Sequence, residues 1–155
     1  MILNPGERLQ TFVLQDQDGK ERSLNDLMGR KGLVLYFYPR DNTSGCTKEA
    51  LEFSELLTKF RRRGYNVVGV SKDSVASHRK FADKQGLRLT LLSDPDKMLL
   101  QAAGAWGEKK NYGKVSMGTI RSTLVLGPDG TVLRSYPKVK ASGHAAKVYE
   151  DLADL

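Results

Sequence analysis

Short apolar runs that alternate with amphipathic segments limit this chain to a small set of folds. The run Leu33–Tyr38 is followed by Pro39 and is typical of a strand buried on both faces of a sheet. Residues 65–70 repeat the pattern, and residues 46–63 between the two runs carry apolar side chains at helical spacing. A strand, a helix and a second strand in this order favour parallel strands joined by a right-handed crossover.

The remaining elements continue the alternation and end in a hairpin around residues 127–130. Further strands are predicted at residues 11–15, 20–22, 87–92, 120–126 and 131–136. Four further helices are predicted. The first follows a cap at Ser23 or Asn25 and ends at Gly29, and the second follows Ser74 and ends by Gly86. The third runs from Asp94 and Pro95 to near Gly104, and the fourth runs from a cap at Ser142 through Leu152. The pattern predicts a three-layer α/β fold of thioredoxin-like type, with a mixed central β-sheet flanked by helices. No linker or repeat divides residues 1–155, so we expect a single domain.

The positive charge of the chain does not by itself indicate nucleic acid. The formal net charge is +7, and residues 1–77 hold 12 basic and 10 acidic groups against 13 and 8 in residues 78–155. The dense cluster Lys59–Arg63 precedes Gly64, so its cations are expected in the last turn of a helix, where they complement the helix dipole. We favour that interpretation over a binding patch. Because zinc-finger and RNA-binding motifs are also missing from the sequence, we do not expect nucleic acid as a partner.

Composition also restricts location and cofactors. An apolar run of six residues is too short to cross a bilayer, which needs about 20, and residues 1–7 do not resemble a signal peptide. We therefore expect a cytoplasmic protein without membrane attachment.

His78 and His144 have no metal-ligand spacing and fit capping or surface roles, and no glycine-rich phosphate loop occurs. We expect neither a metal nor an organic cofactor.

Cys46 is the only cysteine, which excludes an intramolecular disulfide and a cysteine-built zinc site. Free cysteine is usually a small buried hydrophobe. Cys46, however, lies where the polar loop 40–45 meets a predicted helix, and the unpaired amides at a helix start stabilise a thiolate. Its place after a buried strand is also where α/β folds hold their sites. Local physics favours a reactive thiol over an inert one.

At this point the sequence resembles a known family. Residues 39–46 match the Pro-x-x-x-(Thr/Ser)-x-x-Cys loop of peroxiredoxins, and residues 36–49 resemble the bacterioferritin comigratory protein (peroxiredoxin Q) subgroup. Further matches follow in family order at residues 70–74 with 77–78, and at residues 92–95, 107–110, 117–123 and 138–145. The matches extend over nearly the whole chain, which makes the resemblance more specific than the loop alone.

The resemblance implies a thiol-dependent peroxidase that reduces hydrogen peroxide and alkyl hydroperoxides without metal, haem or flavin. Cys46 would attack the terminal oxygen of the hydroperoxide and become a sulfenic acid. Arg121 would stabilise the thiolate and the departing oxygen, since a guanidinium is always charged and offers several fixed donors. Thr43 would orient the peroxide, because a hydroxyl both donates and accepts. Pro39 would shield the sulfur from water.

Two supporting roles follow from the same resemblance. Backbone amides near Gly45 and Cys46 would donate to the transition state. Glu49 would orient Arg121, or would only interact with the helix dipole. Without the resemblance, Thr43 could simply cap the helix and Arg121 could belong to a surface ion pair.

The sequence departs from the subgroup pattern at the resolving cysteine. Many members have that cysteine five residues after the first, where this chain has Leu51, or in the following helix, where it has Ala82. Ser44 also stands where proline is common. The sulfenic acid must then be reduced by an external thiol such as thioredoxin, or form a mixed or intersubunit Cys46–Cys46 disulfide. We expect a monomer or a weak homodimer.

Two other functions stay open on the sequence alone. The same thiol could serve a redox sensor or thiol chaperone with poor turnover, which the missing resolving cysteine makes more plausible. Alternatively, the chain could be a thioredoxin-fold binding module with an inert cysteine and a basic surface. Trp106 and Tyr112, which flank Lys109 and Lys110, could close over a partner or substrate, or be the buried aromatics of a loop.

Overall fold

The computed structural model describes residues 1–155 apart from the side chain of residue 111. The elements in chain order are β1 (Val13–Gln15), β2 (Glu21–Ser23), α1 (Leu24–Leu27), β3 (Gly32–Phe37), α2 (Ser44–Arg62), β4 (Tyr65–Ser71), α3 (Val75–Gln85), β5 (Thr90–Ser93), α4 (Met98–Ala103), β6 (Trp106–Asn111), β7 (Lys114–Thr119), β8 (Ser122–Leu126), β9 (Val132–Tyr136), α5 (His144–Asp151) and a final 3-10 turn (Leu152–Asp154). Seven strands form one sheet in the order β2-β1-β5-β4-β3-β8-β9, and β6 and β7 form a separate ribbon.

The sheet is mixed, as the sequence predicts. Strands β3, β4 and β5 are parallel neighbours joined by helical crossovers. Strands β8 and β9 form the predicted antiparallel hairpin, and β8 also pairs antiparallel with β3. The short strands β1 and β2 add an antiparallel pair at the other edge.

Helices cover both faces of the sheet because its central strands are apolar on both sides. Val34 and Tyr36 of β3 face one core, which α2, α3 and α5 cover with residues such as Phe53. Leu35 faces a second core, which α1 and α4 cover with residues such as Leu100. The three-layer thioredoxin-like arrangement is thereby confirmed.

The predicted start of α4 is wrong by several residues. Asp94 and Pro95 do not begin the helix, which starts at Met98. Lys97 precedes it with a φ of 62°, in the left-handed region, so the backbone cannot run helically from Asp94 into α4. The Asp94 carboxylate instead reaches forward to accept the amide of Leu100 at 2.8 Å.

The helix caps divide into confirmed and corrected predictions. Ser23 and Ser74 cap α1 and α3 through their side chains. Ser142, however, does not cap α5: the N-cap is Gly143, with a φ of 79° that favours glycine. The amide of Gly143 donates to the Glu52 carboxylate at 2.8 Å, so a side chain of α2 fixes this turn.

The ribbon of β6 and β7 is an element that sequence reasoning missed. Trp106 pairs with Thr119 at its base, and Tyr112 lies at its tip with a φ of 52° and a side chain that is 99% exposed. Tyr112 is therefore not a buried loop aromatic. Trp106 is half-buried, with the ammonium groups of Lys72 and Lys97 at 5.6 and 5.0 Å from its ring.

The basic cluster lies at the carboxyl end of α2, as predicted. Lys59, Arg61 and Arg62 occupy the last turn, where they complement the helix dipole, and Gly64 follows with a φ of 91°. In the part of the chain that the structure describes, no helix has the length and apolar character needed to cross a membrane.

Candidate active site

Cys46 lies in the first turn of α2, at the carboxyl edge of the sheet. The chain leaves β3 at Phe37, crosses a polar loop and enters α2 at Ser44, so that Cys46 is the third helical residue. Its side chain packs against the core formed by α2, α3 and α5 and is only 1% exposed. The first-turn amides of a helix point toward its start with a partial positive charge. The sulfur is thus both shielded from water and placed where a negative charge is favoured.

Arg121 reaches this sulfur from a distant part of the sequence. It lies between β7 and β8, and the antiparallel register places Ser122 of β8 opposite Phe37 at the end of β3. Its Nη2 donates to Cys46 Sγ at 3.3 Å, and its Nη1 donates to Glu49 Oε1 at 2.6 Å. The planar guanidinium therefore holds the thiol and a carboxylate at the same time.

Gly45 leaves room for this contact. A Cβ at this position would lie 3.2 Å from Arg121 Nη2. Any larger residue would push against the guanidinium that contacts Cys46. Gly45 therefore allows the guanidinium of Arg121 to pack beside Cys46, and this role is separate from that of its backbone amide.

Glu49 is a carboxyl group with 0% exposure one helical turn after Cys46. Burial raises its pKa to about 7, and the adjacent charge of Arg121 offsets only part of that rise. The short ion-pair contact taken alone would favour a low pKa, but loss of all solvent contact outweighs it. Glu49 Oε2 and the hydroxyl of Tyr36 are buried without a hydrogen-bond partner among the described residues. Burial, followed by the charges of Glu49 and Cys46, raises the pKa of Tyr36.

Thr43 and Pro39 lie on the loop that leads into α2. Thr43 is the N-cap residue of α2, but its side chain makes no capping hydrogen bond, so the capping alternative is wrong. Its Oγ1 donates to the carbonyl of Arg40 at 2.9 Å and stays exposed, with lone pairs free to accept. Pro39 is half-buried directly after the buried Tyr38.

A buried polar network anchors the same loop. The Asp41 carboxylate accepts from Tyr38 at 2.6 Å and from Ser77 at 2.8 Å, and it lies 2.6 Å from His78 Nδ1. The backbone amide of Asp41 donates to Asp73 at 2.9 Å. Sequence reasoning missed this network. The available signal was that Asp41 and Asp73 each follow one of two neighbouring parallel strands.

Both histidines lie in positions that contradict the expected capping or surface roles. His78 is fully buried within the Asp41 network. His144 is also buried, with Nε2 2.8 Å from the hydroxyl of Thr123. Burial lowers its pKa to about 4, and the charge of Arg121 adds to the effect. The reason for the error is that histidines far apart in sequence find polar partners only in the fold.

One group of side chains has the spacing of a metal site. Ligand atoms of Asp41, Asp73 and His78 all lie within 4.8 Å of one another. Each of these groups already takes part in hydrogen bonds within the network. The cluster is therefore accounted for by its internal hydrogen bonds.

A thiol at a helix start, held by an arginine at the carboxyl edge of a thioredoxin-like sheet, is the arrangement of a thiol peroxidase. The sequence matches the AhpC/TSA family over residues 5–135, and the chain belongs to that family. A Mycobacterium tuberculosis protein named as a peroxiredoxin is 47% identical over 151 residues, which cover 97% of this chain and 96% of the relative. Peroxiredoxin Bcp of Bacillus subtilis is 37% identical over 155 residues, covering 100% and 98%.

Solved structures agree with these relatives. The Xanthomonas campestris bacterioferritin comigratory protein, described for its alkyl peroxide reduction activity, is 40% identical with a TM-score of 0.87, covering 99% of this chain and 97% of that one. A cysteine-to-serine variant of Xylella fastidiosa PrxQ is 37% identical with a TM-score of 0.91, covering 99% and 98%. The chain is a thiol-dependent peroxidase of the peroxiredoxin Q type, as the resemblance implies.

Proposed function

We propose that Cys46 is the residue that reacts with the hydroperoxide. Its thiolate attacks the terminal oxygen of ROOH, the S–O bond forms as the O–O bond breaks, and the RO⁻ that leaves takes a proton from solvent to become ROH. The sulfur is oxidised to a sulfenic acid and the peroxide is reduced. The hydrogen bond from Arg121 to Cys46 Sγ is the observation that carries this assignment.

Arg121 supports the reaction as a fixed positive charge. Its contact with Glu49 holds the guanidinium in one orientation, and its second nitrogen remains on the sulfur. A charge that is already in place stabilises both the thiolate and the oxygen that departs with negative charge, without reorganisation during the reaction. Glu49 is thus a positioning residue for Arg121, which its complete burial favours over a role limited to the helix dipole.

The loop and the first helical turn supply the remaining groups. Thr43 has an exposed hydroxyl that can accept from the peroxide proton while remaining bonded to Arg40. The amides of Gly45 and Cys46 point toward the start of the helix, where the peroxide oxygens would lie. Pro39, half-buried on the same loop, is proposed to shield the sulfur from water.

The reductive half of the cycle uses an external thiol. Leu51 and Ala82 stand at the two positions where the family places a resolving cysteine, and Cys46 is the only cysteine. A first thiol RSH forms a mixed disulfide with Cys46 and releases water, and a second RSH regenerates the Cys46 thiol as RSSR leaves. Thioredoxin, which supplies both thiols from one molecule, is the proposed reductant. Because the sulfur is buried, the start of α2 must open before the reductant can reach it.

We further propose that residues 1–155 act as one domain, since strands from both halves of the chain form one sheet. We propose a cytoplasmic protein, in keeping with a reduced single thiol. We also propose that the protein is a monomer or weak homodimer and uses no cofactor. Neither a membrane nor nucleic acid is a proposed partner. A homodimer linked through Cys46 would be a product of oxidation.

Steady-state peroxide consumption tests this function. With thioredoxin and its reductase, the protein should consume hydroperoxide over many turnovers, and Cys46→Ser should consume none. A matched series with dithiothreitol separates the enzyme from a redox sensor that uses the same thiol. Turnover with dithiothreitol but not with thioredoxin would exclude thioredoxin as the reductant. A single oxidation of Cys46, with no turnover in the presence of either reductant, would favour the redox sensor.

A further inference from the structure

Both ring nitrogens of the buried His78 have polar partners. Nε2 lies 2.9 Å from the carbonyl oxygen of Leu92, and Nδ1 lies 2.6 Å from the carboxylate of Asp41. A carbonyl oxygen can only accept, so Nε2 must donate.

Asp41 receives the other contacts of this cluster. Its carboxylate also accepts from Tyr38 at 2.6 Å and from Ser77 at 2.8 Å. His78 is fully buried and joins Asp41 to the carbonyl of Leu92, so its ring is held at both nitrogens.

The contact between His78 and Asp41 holds the loop that carries the peroxide-binding groups. Asp41 lies midway between Pro39 and Thr43, and its backbone amide is fixed separately by Asp73, which in turn accepts from Ser71 at 2.6 Å. The next residue, Asn42, has a φ of 64° in the left-handed region. A loop bent in this way needs fixed contacts to stay in one conformation. The network ties it to the end of β4 and the start of α3.

We propose that His78 is a positioning residue for peroxide reduction: buried between Asp41 and the Leu92 carbonyl, it holds Asp41 and with it the loop that presents Thr43 beside Cys46. The proposal rests on the proposed role of Cys46. His78 touches neither the sulfur nor the substrate. Its effect is on where the Thr43 hydroxyl lies, and a misplacement of about 1 Å can cost up to about a hundred-fold in rate.

Nitrogen NMR of the imidazole ring tests these contacts directly. Nε2 should carry a proton that exchanges slowly with solvent, because it is buried against the carbonyl of Leu92. A missing or rapidly exchanging Nε2 proton would overturn the anchoring of the ring. This measurement uses the resting protein and does not depend on any reaction with peroxide.

Kinetics of His78→Asn test the positioning role. The asparagine amide can still donate to Asp41 but is too short to reach the Leu92 carbonyl as well, so Asp41 is held less firmly. The rate of Cys46 oxidation by hydroperoxide, divided by its rate of alkylation by iodoacetamide, should therefore fall about ten-fold. Alkylation needs the thiolate but no hydrogen bond to the Thr43 hydroxyl. Ser74→Ala is the matched control, since it removes the cap of the same helix and leaves the contact between His78 and Asp41 in place.

The outcomes are distinct. If His78 only stabilises the fold, His78→Asn and Ser74→Ala will both unfold more readily while the rate ratio of the folded protein stays at the wild-type value, and the positioning role is then wrong. If the wild-type thiol does not react with hydroperoxide at all, the proposed role of Cys46 fails, while the NMR result on His78 stands separately. A ten-fold lower ratio confined to His78→Asn supports the proposal.

Discussion

Glu49→Gln isolates the cost of burying a carboxylate beside Arg121. Glutamine keeps the shape and an oxygen that can accept from the guanidinium but cannot ionise. Burial raises the pKa of Glu49 from 4.5 to about 7. Each pKa unit corresponds to about 1.4 kcal/mol, so keeping Glu49 ionised in the folded protein costs about 3 kcal/mol above neutral pH.

The sign of the pH dependence follows from proton binding. Between the unfolded value of 4.5 and the folded value of about 7, the folded protein holds more protons at Glu49 than the unfolded chain does. The contribution of Glu49 to the free energy of unfolding is therefore fully present below pH 4.5 and is lost as the pH rises through about 7. The glutamine variant does not lose stability in this way, so its free energy of unfolding should rise relative to that of the parent as the pH increases.

Urea unfolding measures the effect. The comparison is between Cys46→Ser and Cys46→Ser/Glu49→Gln, because the serine removes the neighbouring thiol from the titration. The difference in unfolding free energy should shift by about 2–3 kcal/mol in favour of glutamine between pH ~5 and pH ~8. A difference that stays constant over this range would show that Glu49 has an ordinary pKa, and the account of its burial would be wrong.

Substitutions at three further positions probe the groups around the sulfur. Gly45→Ala should lower the rate of Cys46 oxidation about ten-fold without loss of thermal stability, since its Cβ crowds Arg121 Nη2 at 3.2 Å while alanine favours the helix; an unchanged rate would mean that the arginine yields freely. Arg121→Lys should lower the same rate by about 10²–10³, because one ammonium cannot hold Glu49 and the sulfur together. Thr43→Val should slow peroxide reduction while Thr43→Ser retains it in stopped-flow assays, and equal rates would exclude the hydroxyl.

Local signals predicted the start of the site well. The polar loop before Cys46 and the apolar spacing after it mark a helix start without any knowledge of the fold, and α2 begins there. The strand before it is apolar throughout, so its burial was also evident. These features depend only on residues close together in sequence.

Contacts between distant residues were less accessible. Arg121 is 75 residues from Cys46, and the two meet because β8 pairs with β3 in one register. Periodicity does not specify that register, so only the family resemblance pointed to Arg121. Asp41 and His78 lie within stretches that match the family, but the resemblance gave neither a role, and a lone histidine carries no local sign of a partner 37 residues away.

Other errors came from local signals that the fold overrode. Asp94 and Pro95 are a strong helix start, yet the aspartate bonds to Leu100 and the helix begins after a left-handed residue. Half of the strand residues of β6 and β7 are lysine, glutamate or glycine, and only Val115 and Met117 give a short apolar alternation, so the pattern by which strands are identified is weak there.

The reaction of Cys46 with one equivalent of an alkyl hydroperoxide tests the central claim most directly. Mass spectrometry after dimedone trapping should show one sulfenic acid per chain, located at Cys46, with one equivalent of the corresponding alcohol released. Cys46→Ser should release no alcohol and form no adduct. Peroxide reduction by Cys46→Ser, or alcohol release from the wild-type protein with Cys46 still a thiol, would contradict the account.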